Sequence, residues 1–254
     1  MRDPYLYPNS DVLKNLADLR DQTLLDDMEA DYTALRLSEI VTDINWLDFN
    51  FQSLCYMHYL IFQDVYEWAG KPRIINIEKS EPVLGDLSVE YSDCFDIERD
   101  SEIVLSDMNA TDWKTLDPER VTKQFSDSIS KLWKVHPFRE GNTRTVVTFC
   151  SLFIETQGIY IDSNLFKDNA AYMRNALVAA NAIFHDLGDL RKPEYLERIV
   201  RNALDEGSCM RNRVEKQIQK AGISVSDNVV RKIVFWNRKT ECEHTSQEIK
   251  EYLK

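Results

Sequence analysis

Apolar positions recur at helical spacing on both sides of one short polar stretch. From Ser126 to Val135, Ile129, Leu132 and Trp133 share a face, and the same periodicity resumes from Thr145 to Ile154. Upstream, residues 10–42 offer a helix start at Ser10 or Asp11. Apolar spacing follows at Leu13, Leu16, Leu19, Leu24, Leu25, Met28, Ile40 and Val41, which predicts two or three amphipathic helices. Asp48-Phe49-Asn50 caps a further helix with Leu54, Met57, His58, Ile61, Val65 and Trp68 on one side, ended by Gly70-Lys71-Pro72. Between Arg73 and Tyr91 the period changes. Ile74, Ile75 and Ile77 are β-branched and Pro82-Val83-Leu84-Gly85-Asp86 carries turn chemistry, so a short β-hairpin is expected there.

Helical patterning returns at Asp96–Met108, with a helix start at Thr115–Glu119. It continues over Lys167–Phe184, whose alanines (Ala170, Ala171, Ala176, Ala179, Ala180) favour close helix packing, and over Asp189–Leu204. Three more periodic segments follow at Val214–Ile223, Asn228–Trp236 and Ser246–Leu253. The fold class is therefore all-α, a helical bundle with one short β-hairpin.

Composition changes this picture at one end. The 254 residues carry a formal charge of −12, which argues against generic binding of the whole molecule to nucleic acid or an anionic membrane. Past Gly207, however, ten Lys and Arg face six Asp and Glu, a local net of +4 that leaves −16 on the preceding 206 residues. Residues 206–254 are expected to form a small basic helical appendage to a domain spanning 1–205. No recognition-helix pattern marks that appendage as a DNA reader.

The five cysteines (Cys55, Cys94, Cys150, Cys209, Cys242) are scattered without a C-x-x-C pair, so neither a disulfide framework nor a zinc cluster is signalled. No apolar run approaches membrane-spanning length, and Met1-Arg2-Asp3-Pro4 lacks the apolar core of a signal peptide. The expected compartment is cytoplasmic, with secretion into a host cell by a route without a cleaved signal left open.

The polar stretch between the two periodic segments is His136-Pro137-Phe138-Arg139-Glu140-Gly141-Asn142-Thr143-Arg144-Thr145. Pro137 disfavours helix at His136, Gly141 permits backbone geometry closed to other residues, and Asn142 is a good helix start. Free N–H groups around Gly141 to Thr143 at a positive helix end suit a polyphosphate, and Arg144 adds a forked, permanently charged donor. Glu140 would repel such an anion unless a divalent cation lay between them, and Mg²⁺ fits, with Glu140 as its ligand. His136, expected at the rim of the site with an ordinary pKa of about 6.5, could accept a proton from an attacking hydroxyl.

This run resembles the signature H-x-F-x-D/E-G-N-G-R-x-x-R of the Fic family, matching at His136, Phe138, Glu140, Gly141, Asn142 and Arg144. The resemblance extends to Leu60–Arg73, which looks like the helix leading into the family's flap, and to Asp3-Pro4-Tyr5. It implies a Fic-type helical bundle, a flap at about 73–91 that holds a target protein's backbone, and AMP transfer from ATP with Mg²⁺ to a Ser, Thr or Tyr hydroxyl. His136 would be the base and Phe138 the buried anchor of the loop. Asn142 would donate to the α-phosphate, Arg144 would bind outer phosphates, and Glu140, Gly141, Thr143 and Thr145 would complete the nucleotide site. Lys79, expected near the flap tip, would approach a phosphate or base.

Two positions depart from the family pattern: Thr143 stands for its second glycine and Val147 for its second arginine. They keep two alternatives open, transfer of another phosphate-linked moiety and a degenerate module that only binds partners. The family's inhibitory pattern, S/T-x-x-x-E followed by Gly or Asn, is matched only in its first five positions, at Thr115–Glu119 and Ser151–Glu155. A separate inhibitor protein, as in toxin–antitoxin pairs, or none at all, is the expectation. Two simpler readings explain less. An i, i+4 surface pair of Glu140 and Arg144 leaves the other matches unexplained, and a zinc pair of His136 and Glu140 is broken by Pro137 and Gly141. His58, alone on an apolar face, reads as a packed, hydrogen-bonded core histidine.

Overall fold

The computed structural model describes residues 3–40, 48–240 and 244–252. Val41, Cys242 and Leu253, like Met1 and Arg2, lie outside the described residues. Among those described, the helices carry the regular structure and the strands pair only in one two-stranded antiparallel sheet, β1 (Ile183–Phe184) with β2 (Gly188–Asp189). No helix there is long and apolar enough to cross a membrane.

Residues 10–21 do not form the expected first helix. Asn15 turns the chain instead, its side chain bonding the Leu13 and Leu19 carbonyls and the Leu19 N–H, and Asp18 adopts a left-handed φ of 53°. A short polar side chain that satisfies nearby backbone groups competes directly with helix. A single helix, α1 (Gln22–Ile40), follows and packs on α2 (Phe51–Phe62). Asn50 caps α2 as expected, accepting from the Ser53 N–H at 2.9 Å, but α2 stops at Phe62 and the chain turns through Gly70 at φ 78°.

After the flap come α3 (Ile97–Ala110) and α4 (Pro118–Val135), the latter opened by Asp117 accepting from the Arg120 N–H and by Pro118 at its first turn. Then α5 (Asn142–Thr156) runs through the middle of the molecule, with Val146, Phe149, Cys150, Phe153 and Ile154 at 0% exposure. The expected continuous helix over Lys167–Phe184 is instead α6 (Asn164–Asp168), α7 (Ala170–Ala180) and then β1. The next helix begins at Glu194, not Asp189, because Asp189 pairs in β2.

That helix, α8 (Glu194–Ala221), runs unbroken across position 206. Its second half, α9 (Asp227–Thr240) and α10 (Ser246–Tyr252) enclose an apolar cluster of their own: Val214, Ile218, Val230, Ile233, Val234 and Ile249, joined from the main body by Tyr160.

The flap, 73–91, leaves and returns as two extended arms closed by a single antiparallel bridge, Glu81 to Leu87, with a 3-10 turn at Pro82–Leu84 as its tip. Asn76 ties the base, its amide reaching Asp93 and accepting from the Cys94 N–H. Side chains rather than a ladder hold the arms together.

Candidate active site

Helix α4 ends on His136 in the left-handed conformation (φ 53°, ψ 58°), its N–H reaching the Trp133 carbonyl at 3.0 Å. The loop then bends back into α5. Asn142, expected to donate to phosphate, spends its side chain on the loop itself: Nδ2 donates to the Phe138 carbonyl at 2.7 Å and Oδ1 accepts from the Phe138 N–H at 2.9 Å. A local ring of this kind fixes the turn, and it leaves Asn142 its backbone N–H and the second Nδ2 hydrogen for a ligand. Thr145, also expected at the nucleotide, is wholly buried with its hydroxyl donating to the Gly141 carbonyl at 3.0 Å.

Gly141 takes φ +80°, and a Cβ there would fall 2.2 Å from the Phe62 ring, so α2 and the loop meet where only glycine fits. Phe138 is buried and stacks on His58 at 3.9 Å between ring centroids. His58 is the core histidine expected, and its bonds reach the loop. Its Nδ1 accepts from the Gly70 N–H at 2.8 Å, so Nε2 carries the proton and donates to the Glu140 carbonyl at 3.0 Å. Burial pushes its pKa down to about 3.

Three backbone N–H groups, those of Asn142, Thr143 and Arg144, have no acceptor among the described residues, while that of Gly141 is taken by the Glu140 carboxylate at 3.1 Å. They form the first turn of a 15-residue helix, where the dipole adds to the attraction of an anion. The hydroxyl of Thr143 accepts from the Trp133 indole at 2.9 Å, which ties the residue standing for the family's glycine to the helix before the loop.

Arg144 is not free for outer phosphates on all sides. Its Nη2 pairs with Glu29 and its Nη1 donates to Thr33 at 3.0 Å, both from α1, and Tyr66 donates to the same Glu29 carboxylate. Its guanidinium borders a cavity of about 480 Å³ also lined by Val147, Glu155 and Lys167. The residue that replaces the family's second arginine therefore presents an apolar wall to that cavity.

His136 departs furthest from expectation. It is not at a rim: the residue is 2% exposed, and Tyr91 from the returning flap arm stacks on its ring at 4.0 Å, with Trp133 edge-on at 5.2 Å. Neither ring nitrogen has a hydrogen-bond partner among the described residues. Burial first, then the nearby Lys79 and Arg73 cations, hold its pKa well below the ordinary value against the opposing pull of Glu140, so the imidazole is neutral. A buried imidazole with two unsatisfied nitrogens is uncommon, and a catalytic role is one explanation for it.

Lys79 is not at the flap tip. It lies on the outgoing arm and its ammonium meets Glu140 Oε2 at 2.9 Å. Burial alone would raise the Glu140 pKa, but Lys79 and the Gly141 N–H outweigh it and hold the carboxyl down at about 2. Among the described residues no group of three or more His, Cys, Asp or Glu could cage a metal ion. One carboxylate beside free amides is nonetheless the usual protein contribution to a nucleotide-borne Mg²⁺, which keeps water and phosphate oxygens as its other ligands. Glu140 fits that role, with Lys79 now supplying the positive charge.

Sequence reasoning missed Glu29, Tyr91 and Trp133, which belong to other elements and carry no motif, and gave no role to Tyr66, which lies within the Leu60–Arg73 run. It also gave no role to Arg73, whose signal was its place at the end of the Leu60–Arg73 run.

Comparison with known proteins converges on one family. Residues 47–154 match the model of the Fic/DOC family. The chain is 34% identical over 166 residues to a probable protein adenylyltransferase, y4lH, of Sinorhizobium fredii, spanning 65% of this chain and 81% of that one. It is 28% identical over 161 residues to the protein adenylyltransferase VbhT of Bartonella schoenbuchensis, spanning 63% of this chain and 32% of that one. Its fold resembles the N-terminal Fic domain of a VirB-translocated Bep effector protein from Bartonella quintana with bound ADP. The TM-score is 0.64 at 21% identity, over 78% of this chain and 93% of that one. The signature loop, the helices that frame it and these relatives together place the chain in the Fic/DOC family.

Proposed function

We propose that this protein is a protein adenylyltransferase that moves AMP from ATP to a Ser, Thr or Tyr hydroxyl of a target protein. The observation that carries this reading is the pairing, at opposite ends of one rigid loop, of three unengaged amides and an unpartnered neutral imidazole.

The amides of Asn142, Thr143 and Arg144 would receive the phosphates, and Arg144, held by Glu29 and Thr33, would turn its remaining edge to the oxygens in the adjoining cavity. The target chain would lie along the extended flap arms, whose sparse pairing leaves backbone groups for strand addition. Its hydroxyl would lose a proton to His136 as its oxygen forms a bond to the α-phosphorus. The bond from that phosphorus to the bridging oxygen breaks, and pyrophosphate departs. Reaching His136 requires Tyr91 to move aside, so target docking and exposure of the base belong to one event.

When bound, Mg²⁺ would offset phosphate charge beside Glu140. Preorganised donors and charge do most of the work in such transfers, and one positioned base adds about 10² to 10⁴-fold. A separate inhibitor protein belongs to the same proposal, since neither five-position match carries the full inhibitory pattern.

Incubation of cell lysate with the purified chain and ATP labelled at the α-phosphorus, beside His136→Ala, tests the reading. A protein band labelled by the wild type and at least a hundredfold weaker with the variant is expected. Equal labelling by both would remove His136 from the chemistry.

A further inference from the structure

Arg73 is 1% exposed, and no carboxylate is among its hydrogen-bond acceptors in the described residues. A buried cation is costly unless its donors are satisfied. Here the acceptors are carbonyl groups from three separate places. Nε donates to the carbonyl of His136 at 2.8 Å, Nη1 to Ile75 on the outgoing flap arm at 2.7 Å, and Nη2 to Ser92 just past the return arm. Its backbone N–H also reaches the Pro137 carbonyl at 2.8 Å. The His136 carbonyl ends α4, where the negative end of the helix dipole offsets the guanidinium charge without a carboxylate.

Because the guanidinium is planar and rigid, the three places its acceptors come from, with Asn76 beside Ile75 and Val135 beside His136 as weaker acceptors, are held in a fixed relation to one another. Tyr91, stacked on the His136 ring, immediately precedes Ser92, and Lys79, paired with Glu140, follows Ile75 by four residues. The Tyr91 and Lys79 contacts with the loop are therefore both suspended from arms that Arg73 fastens.

We propose that Arg73 is a positioning residue for the transfer reaction, pinning both flap arms and the His136 peptide to one frame so that a target on the flap meets the base in register. This rests on the adenylyl-transfer reading and extends it to a residue outside the signature loop.

Arg73→Lys keeps the charge but loses the planar fork, and Arg73→Gln loses both. Binding of Mg²⁺ and the non-hydrolysable analogue AMPPNP, followed by calorimetry, should stay within about twofold of wild type in Arg73→Lys, because the free amides do not touch Arg73. The rate of label transfer from ATP at saturating concentration should fall at least tenfold. Hydrogen exchange should quicken together in peptides covering 74–92 and 133–139.

A wild-type transfer rate in Arg73→Lys, or a loss that weaker AMPPNP binding fully accounts for, would overturn the proposal. So would an Arg73→Lys chain that no longer folds, which would make Arg73 a stabiliser of the core. Should the wild type itself label no protein, the adenylyl-transfer reading fails separately. Exchange then decides on the pin: a joint rise in both segments upholds it, and a rise confined to one defeats it.

Discussion

The signature loop and the flap lie against each other, yet they hold their shapes by opposite means. The loop is shaped mainly from within, by the Asn142 side chain on both backbone groups of Phe138, the Thr145 hydroxyl on Gly141, and the Glu140 carboxylate on the Gly141 N–H. The flap has one backbone bridge and a few side-chain ties of its own, such as Ser88 accepting from the Lys79 N–H, and borrows much of its order from distant residues: Lys79 from Glu140, Glu81 from Arg174, and Arg73 from the end of α4. A structure built from local contacts stays ready for its ligand. One built from borrowed contacts can let go of them, and the base under Tyr91 needs that release.

The contrast can be broken first from the loop side. Gly141→Ala forces a Cβ to within 2.2 Å of the Phe62 ring at φ +80°. A loss of about 3 kcal/mol in denaturant unfolding is expected, together with loss of calorimetric AMPPNP binding. Full binding by the variant would mean that the loop tolerates a shape other than the one described.

The second test sets the two buried histidines against solvent. His58 and His136 are both held neutral, with folded pKa values below the ordinary 6.5. The unfolded chain therefore binds protons that the folded one refuses, and stability should fall as the pH drops below about 6.5. Each histidine contributes at most about 1.4 kcal/mol per pH unit in that range. Glu140 acts in a lower window: its depressed carboxyl lends stability above about pH 4.5 that is lost as the pH falls toward 2. His136→Ala should flatten the slope between pH 6.5 and 5 in thermal or denaturant melts, and an unchanged slope would place a charged imidazole in the folded protein.

The smallest expected effect comes from the flap side. Lys79→Met removes the ammonium from Glu140 and leaves every bond internal to the loop in place. The Mg²⁺ concentration needed for half-maximal AMPPNP binding should drop a few-fold, because the ion no longer competes with a resident cation. A rise would show that Lys79 helps to hold the nucleotide more than it blocks the metal.

What the sequence made legible follows the same division. The loop's position between two helices, its glycine, the burial of Phe138 and the core role of His58 each leave a local mark in residue type or apolar spacing, although the contacts that fix them reach across the chain. Side-chain type alone does not show where the loop's polar groups are spent. Asn142 and Thr145 have groups able to meet phosphate, but each lies within reach of a backbone partner four residues away and satisfies it first.

Arg144 could be recognised as a phosphate-binding type, yet its partner Glu29 sits on a helix 115 positions upstream that carries no motif. The burial of His136 was equally hidden, since Tyr91 reaches it only once the flap has folded back. The expected two or three helices over 10–42 became one because Asn15 bonds three backbone groups around it. Apolar spacing cannot register that competition.

Everything proposed for the site depends on the phosphates lying on the Asn142–Arg144 amides with the α-phosphorus beside His136. Two parallel reactions, with ATP labelled at the α- or at the γ-phosphorus, test this most directly by the label found on protein. The expected result is α-label on a protein band, absent with His136→Ala, and no γ-label. Transfer of γ-label instead, or α-label that survives His136→Ala, would contradict it.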